Sequence, residues 1–275
     1  MKKIIIVAAL LFSTVAFGQK HSCCSSSDWS TLALNTDFMA SHLSPEPLAY
    51  SPEESSSMVS FSTVGKDGAA FFVPSPKPTK KVLIISHEWW GLNDYIKREA
   101  ERWQKMLGNI DVYAVDLYEG KVAATPEEAG KYMSELDVAR GNAILKGLLN
   151  KIGKDKDIIS LGWCMGGSWS FATALNAGKQ AKGCVMYYGF PETDMNKIKL
   201  LKTDVLYIYG TQDKYITKEA ITAFEKDIKK TGNGFKMYSY DAVHAFANPS
   251  NPKYDKVNAG DAETKVLSYI KNKLK

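Results

Sequence analysis

The feature that most constrains this chain begins at Lys81, where short continuous apolar runs start to alternate with longer amphipathic segments. Val82-Leu83-Ile84-Ile85 is apolar without interruption, as expected of a strand covered on both faces. Residues 92–107 then carry Ile96, Ala100, Trp103 and Leu107 at helical spacing. The alternation continues, with strands expected at 111–116, 157–161, 183–188, 204–209 and 235–240 and helices at 125–150, 168–177, 217–230 and 259–274. Thr125-Pro126-Glu127-Glu128 supplies a cap, a first-turn proline and a closing glutamate for one helix, and a break is expected near Asp137. Such alternation implies an α/β fold, a mostly parallel central sheet with helices on both faces. In a sheet of this kind, functional residues gather at the carboxyl ends of the strands.

Upstream, Met58–Val64 and Ala69–Val73 flank Gly65-Lys66-Asp67-Gly68, which has hairpin-turn chemistry, so the folded domain is expected to span 58–275. Residues 19–57 are rich in Ser and Pro with apolar anchors at Trp29, Leu32, Phe38 and Leu43, and read as a partly irregular extension that packs in part on the domain. Residues 1–18 read as a signal peptide: Lys2-Lys3, the apolar run Ile4–Phe17, then small residues at Ala16 and Gly18. That run is shorter than the roughly 20 residues needed to span a bilayer. Lys20-His21-Ser22 before Cys23 is not the small apolar approach of a lipidation site. The expectation is an exported protein, periplasmic or secreted, with no integral membrane segment after cleavage. The formal charge of +5 falls to +3 once the two lysines of 1–18 are removed, and no basic stripe is interleaved with aromatics. Nucleic-acid binding is therefore not expected. A monomer or weak oligomer is.

Chemistry concentrates where strand 157–161 meets its helix, in Gly162-Trp163-Cys164-Met165-Gly166-Gly167. A nucleophile held on a sharp strand-to-helix turn needs small residues two positions to either side, and Gly162 and Gly166 stand there. A helix N-terminus also favours the thiolate of Cys164. By itself the hexapeptide fits equally well a glycine-rich turn whose cysteine only packs. Partners follow later strands: Asp213 in Gly210-Thr211-Gln212-Asp213, and His244 in Asp241-Ala242-Val243-His244. Nucleophile, acid, histidine is the chain order of an α/β-hydrolase triad. His244 would move the proton and Asp213 would fix its tautomer, with Asp241 as a rival acid. The loop Ser86-His87-Glu88-Trp89-Trp90-Gly91-Leu92-Asn93 lies where this fold draws its second oxyanion amide, which points to the N–H groups of Met165 and Trp89. His87-Glu88 begins a zinc-peptidase motif, but Gly91 stands where the second histidine belongs, so no metal is expected and His87 reads as structural. Cys184 reads as a buried core thiol, and the cysteine spacing fits neither a disulfide framework nor a zinc site.

Taken together with Asp116-Leu117-Tyr118-Glu119-Gly120-Lys121-Val122-Ala123, Tyr209-Gly210-Thr211-Gln212-Asp213 and His244-Ala245-Phe246, these motifs resemble the dienelactone hydrolase family over about residues 58–274. The resemblance implies an α/β-hydrolase fold, a Cys164-His244-Asp213 triad, and hydrolysis of a small carboxylic ester or lactone without a cofactor. It also implies that Glu88 contacts the resting thiol and takes its proton when substrate displaces it. A carboxylate beside a thiol disfavours thiolate. The two arginines with which the best-known members hold an anionic lactone are replaced, one region reading Glu119-Gly120-Lys121 and the other position being Asn248. Lys121 would then bind as a point charge, and Trp90 and Tyr118, with Trp89 and Trp163, would form apolar walls. The alternative from another class is a non-catalytic ligand-binding or thiol-sensing protein on the same fold.

Overall fold

The computed structural model describes residues 31–275; the expected signal peptide, Trp29, Cys23 and Cys24 lie outside the described residues. Eight strands form one sheet in the order β1-β2-β4-β3-β5-β6-β7-β8. They are β1 (Ser57–Phe61), β2 (Gly68–Val73), β3 (Lys81–Ser86), β4 (Asp111–Asp116), β5 (Asp157–Trp163), β6 (Ala181–Tyr187), β7 (Val205–Gly210) and β8 (Phe235–Tyr240). The β1–β2 and β2–β4 pairings are antiparallel and every other pairing is parallel. The helices are α1 (Thr36–Ser41), α2 (Asp94–Leu107), α3 (Pro126–Glu135), α4 (Val138–Ile152), α5 (Met165–Ala177), α6 (Met195–Ile198), α7 (Lys218–Lys230) and α8 (Lys256–Lys273).

Strand alternation shows that both faces are covered. Ser160 and Cys184 are register partners, and Ser170 of α5 bonds to Ser160 and lies against the Cys184 sulfur. One residue away, Ile159 and Gly183 are partners, and Tyr269 of α8 packs over Gly183. The helices α5 and α8 therefore lie on opposite faces. α4 joins α5, with Gly141 admitting the Trp169 ring, and α2 joins α8 through an Arg102–Glu263 ion pair. Buried on both sides, β3 and β5 through β7 have no polar alternation to show.

The break expected near Asp137 divides 125–150 into two helices, because Leu136 and Asp137 are extended and Asp137 caps α4 by accepting from the Ala139 N–H. One difference from the sequence reading has a local cause. The turn before α5 is tighter than the expected start at 168: β5 runs to Trp163 and α5 begins at Met165, leaving Cys164 alone between them.

The N-terminal extension lies along the domain. Tyr215 Oη donates to the Asp37 carbonyl at 3.0 Å, Tyr95 Oη donates to the Glu46 carbonyl at 3.0 Å, and the Glu53 N–H donates to Glu101 at 2.8 Å. Asn35 caps the short α1 by accepting from the Phe38 N–H, and Phe38 is wholly buried. Among the described residues no helix is long and apolar enough to cross a membrane.

Candidate active site

Cys164 is held at φ 54°, ψ −122°, a region disfavoured for any residue with a Cβ. Two bonds lock it there: its N–H donates to the Tyr187 carbonyl at 3.0 Å, and its own carbonyl accepts from the Gly167 N–H at 2.9 Å. A methyl on Gly162 would overlap the Gly166 carbonyl, and one on Gly166 would overlap the Ser86 carbonyl. The strained turn is thus possible only because backbone touches backbone on both sides of the cysteine.

The ends of β5, β7 and β8 bring three of the expected residues together. His244 Nε2 lies 3.2 Å from Cys164 Sγ, and Nδ1 lies 2.6 Å from Asp213 Oδ2. Asp213 is itself fixed, since Oδ1 accepts from the N–H groups of Tyr215 at 2.8 Å and Ile216 at 3.0 Å. Asp241 instead accepts from Gln212 Nε2 at 2.8 Å. Burial alone would lower the His244 pKa, but the charge of Asp213, then that of Cys164, and its bonds to both raise it to about 10. In that state Nε2–H donates to the sulfur. Cys164 is only 1% exposed.

Glu88 is not engaged with the thiol. Ser250 Oγ donates to Oε1 at 2.7 Å, and Asn248 Nδ2 donates to Oε2. Asn248 is oriented by accepting the Ser250 N–H at 2.7 Å, and Asn93 Nδ2 donates to Ser250 Oγ at 3.4 Å. The residue that stands in for the second arginine therefore holds Glu88. Burial pushes the Glu88 pKa up to about 8, against the opposing pull of the Ser250 bond and the His244 charge. A glutamate raised from 4.5 to about 8 keeps its proton in the folded chain after the unfolded chain has lost it. Its contribution to stability is fully present below pH 4.5 and is lost as pH rises through 8. Glu88→Gln is expected to flatten the fall in stability across that window, by on the order of a few kcal/mol, in chemical denaturation measured from pH 5 to 9.

The other expected residues fall in two groups. Met165 is the first residue of α5, so its N–H has no carbonyl one turn back to bond. Tyr118 Oη donates to Met165 Sδ at 3.3 Å. Trp89 is fully buried and meets Trp90, 1% exposed, edge-on at 5.0 Å. His87 is structural: Nδ1 donates to the Glu88 carbonyl at 2.6 Å and Nε2 accepts from the Leu117 N–H at 3.1 Å. Lys121 lies over the Tyr132 ring at 5.3 Å with Glu135 at 3.7 Å, in a groove lined by Glu119, Asp137 and Arg140. That groove differs from the one at His244, which α1 borders with Tyr215 and Val243. Trp163 packs with Tyr187 at 5.6 Å. Burial holds the Cys184 thiol at about 11.

Sequence reasoning missed the part the extension plays here. Phe38 lies 6.0 Å from the His244 ring and 5.2 Å from Trp89, and His42 lies 5.4 Å and 4.8 Å from the same two rings. Phe38 and His42 are four residues apart, so one helical turn presents both to the same neighbour. That spacing was the available signal. Burial, then the charge of His244, lowers the His42 pKa to about 3, with the Phe38 carbonyl and Asp213 pulling the other way. The ring is neutral.

Comparison with known proteins matches this arrangement of strands and loops. A carboxymethylenebutenolidase from a Pseudomonas species is 30% identical over 225 residues, covering 75% of this chain and 90% of the relative. Protein usf of Aquifex pyrophilus is 27% identical over 214 residues, covering 74% and 93%. A crystal structure of a dienelactone hydrolase-like promiscuous phosphotriesterase from metagenomic libraries shares the fold with a TM-score of 0.64 at 19% identity, covering 80% of this chain and 98% of its own. The sequence profile of the dienelactone hydrolase family matches residues 69–274, β2 through α8, and the chain belongs to that family.

Proposed function

We propose that this protein is an exported hydrolase of small carboxylic esters or lactones that works through a Cys164-His244-Asp213 triad. The observation that carries the reading is the continuous chain from carboxylate to imidazole to sulfur, 2.6 Å and then 3.2 Å, at the carboxyl edge of a parallel sheet. Family membership supplies the ester or lactone chemistry.

Cys164 Sγ attacks the substrate carbonyl, and the oxyanion is received by the N–H groups of Met165 and Trp89. His244 Nε2 gives its proton to the departing alkoxide, leaving a thioester on Cys164. Water then loses a proton to the neutral imidazole, attacks the thioester, and the acid departs as the sulfur recovers its pairing with His244. Asp213 holds Nδ1–H throughout and stabilises the imidazolium. With Asn248 rather than arginine at Glu88, and Lys121 turned into another groove, a neutral or weakly charged acyl group suits the site better than an anionic lactone.

The test is to trap the intermediate. Incubation with p-nitrophenyl acetate and acid quenching is expected to add one acetyl group to the peptide containing Cys164. Turnover of esters and lactones with no adduct on that peptide under any quench time would remove the triad reading. A panel with no turnover at all would favour a binding protein.

A further inference from the structure

A second imidazole reaches the nucleophile from the extension. His42 is 4% exposed, and its Nδ1 lies 2.7 Å from the Phe38 carbonyl. A carbonyl only accepts, so Nδ1 carries the hydrogen and Nε2 presents a bare lone pair. Nε2 is buried and has no hydrogen-bond partner. A ring nitrogen of His42, the sulfur of Cys164 and a ring nitrogen of His244 all lie within 4.8 Å of one another. A buried acceptor without a donor carries a desolvation cost that a ligand at that point would relieve.

We propose that His42, Cys164 and His244 form a site for a thiophilic divalent cation, zinc above all, that closes the nucleophile off. One thiolate and two neutral imidazoles are the borderline-soft donor set that zinc selects. Both imidazoles have the outer partners of metal ligands: Asp213 holds Nδ1–H of His244, and the Phe38 carbonyl holds Nδ1–H of His42. Each Nε2 is thereby fixed as the inward-facing atom. Zinc bond lengths of about 2.0–2.3 Å place ligand atoms about 3.5 Å apart. The Cys164–His244 separation of 3.2 Å is already close to that. His42 needs to advance by at most roughly 1.5 Å, at the C-cap of a six-residue helix held to the domain by Tyr215. The cation takes the place of the proton between Nε2 and Sγ, and a water completes the fourth position.

The site goes beyond the family core, because His42 precedes the matched region that begins at residue 69. Metal binding stands on this geometry alone. Its inhibitory consequence rests on the hydrolytic reading of Cys164.

Cobalt(II) and zinc chlorides are the probes, added to metal-free full-length protein under reducing conditions. One cobalt per chain is expected, with a sulfur-to-cobalt charge-transfer band and four-coordinate visible bands, both abolished by stoichiometric zinc. His42→Phe, which keeps ring packing against Trp89, is expected to weaken zinc at least tenfold in chelator competition. His42→Ala is expected to do the same, and Cys164→Ser to remove the charge-transfer band. Absence of that band in the wild type would overturn the site. So would equal zinc affinity in wild type and His42→Phe, since Cys164 and His244 would then bind without the extension. Ester turnover of the metal-free enzyme, measured in parallel, tests the hydrolytic reading separately.

Discussion

Replacing Cys164 with alanine is expected to lower kcat/KM for a p-nitrophenyl ester by about 10⁴-fold or more, to the level of residual binding and oxyanion catalysis. The residue contributes the proposed nucleophile, whose sulfur lies 3.2 Å from His244 Nε2. His244→Ala is expected to cost a comparable factor, because without the imidazole nothing takes or returns the proton. The double variant is expected to be scarcely worse than either single one, as groups acting as a unit are strongly non-additive. Steady-state kinetics on the three variants, each checked for folding by circular dichroism, decides the matter. Independent, multiplying losses would mean that sulfur and imidazole do not work as a pair.

Gly166→Ala is the substitution with the largest expected effect on stability. Its new methyl would overlap the Ser86 carbonyl and come within 2.5 Å of the His87 carbonyl, both backbone atoms at the end of β3. Backbone cannot rotate aside as a side chain does, so α5 must lift from the sheet. The cost is expected to be about 3 kcal/mol or more, a fall in melting temperature of roughly 6–12 °C in a domain of this size. Activity should fall with it, since the same lift moves Cys164. Gly260 is the matched contrast: it lies within α8 with nothing near its Cβ position. Gly260→Ala is expected to raise stability by about 0.5–1 kcal/mol. Calorimetry on the two variants compares them directly, and a neutral Gly166→Ala would mean that the close approach of α5 to β3 is not required.

The strands were legible because burial on both faces forces an unbroken apolar run, as in Val82–Ile85, and β4 and β8 stand where the pattern places them. The break between α3 and α4 was legible near Asp137, whereas the start of α5 at Met165 was not, since it turns on the strained φ of Cys164. The three residues at strand ends could be read because the topology of a parallel sheet delivers consecutive strand ends to one edge.

Glu88, Lys121 and His42 show where such reading stops. Position in the chain puts Glu88 beside the site, yet Asn248 and Ser250, some 160 residues on, decide which way its carboxyl points. Lys121 follows the right strand but is drawn aside by Tyr132 and Glu135. His42 belongs to a Ser- and Pro-rich stretch with no strand to place it, and only docking of α1 under Tyr215 carries it to the nucleophile. Sequence by itself determined the layered sheet, the glycine-flanked cysteine turn and the order of the three site residues, because these follow from local spacing and backbone sterics. Tertiary structure alone decided where the extension lies, what Glu88 touches and which second imidazole faces the sulfur. Those depend on contacts between segments whose separation along the chain carries no local pattern.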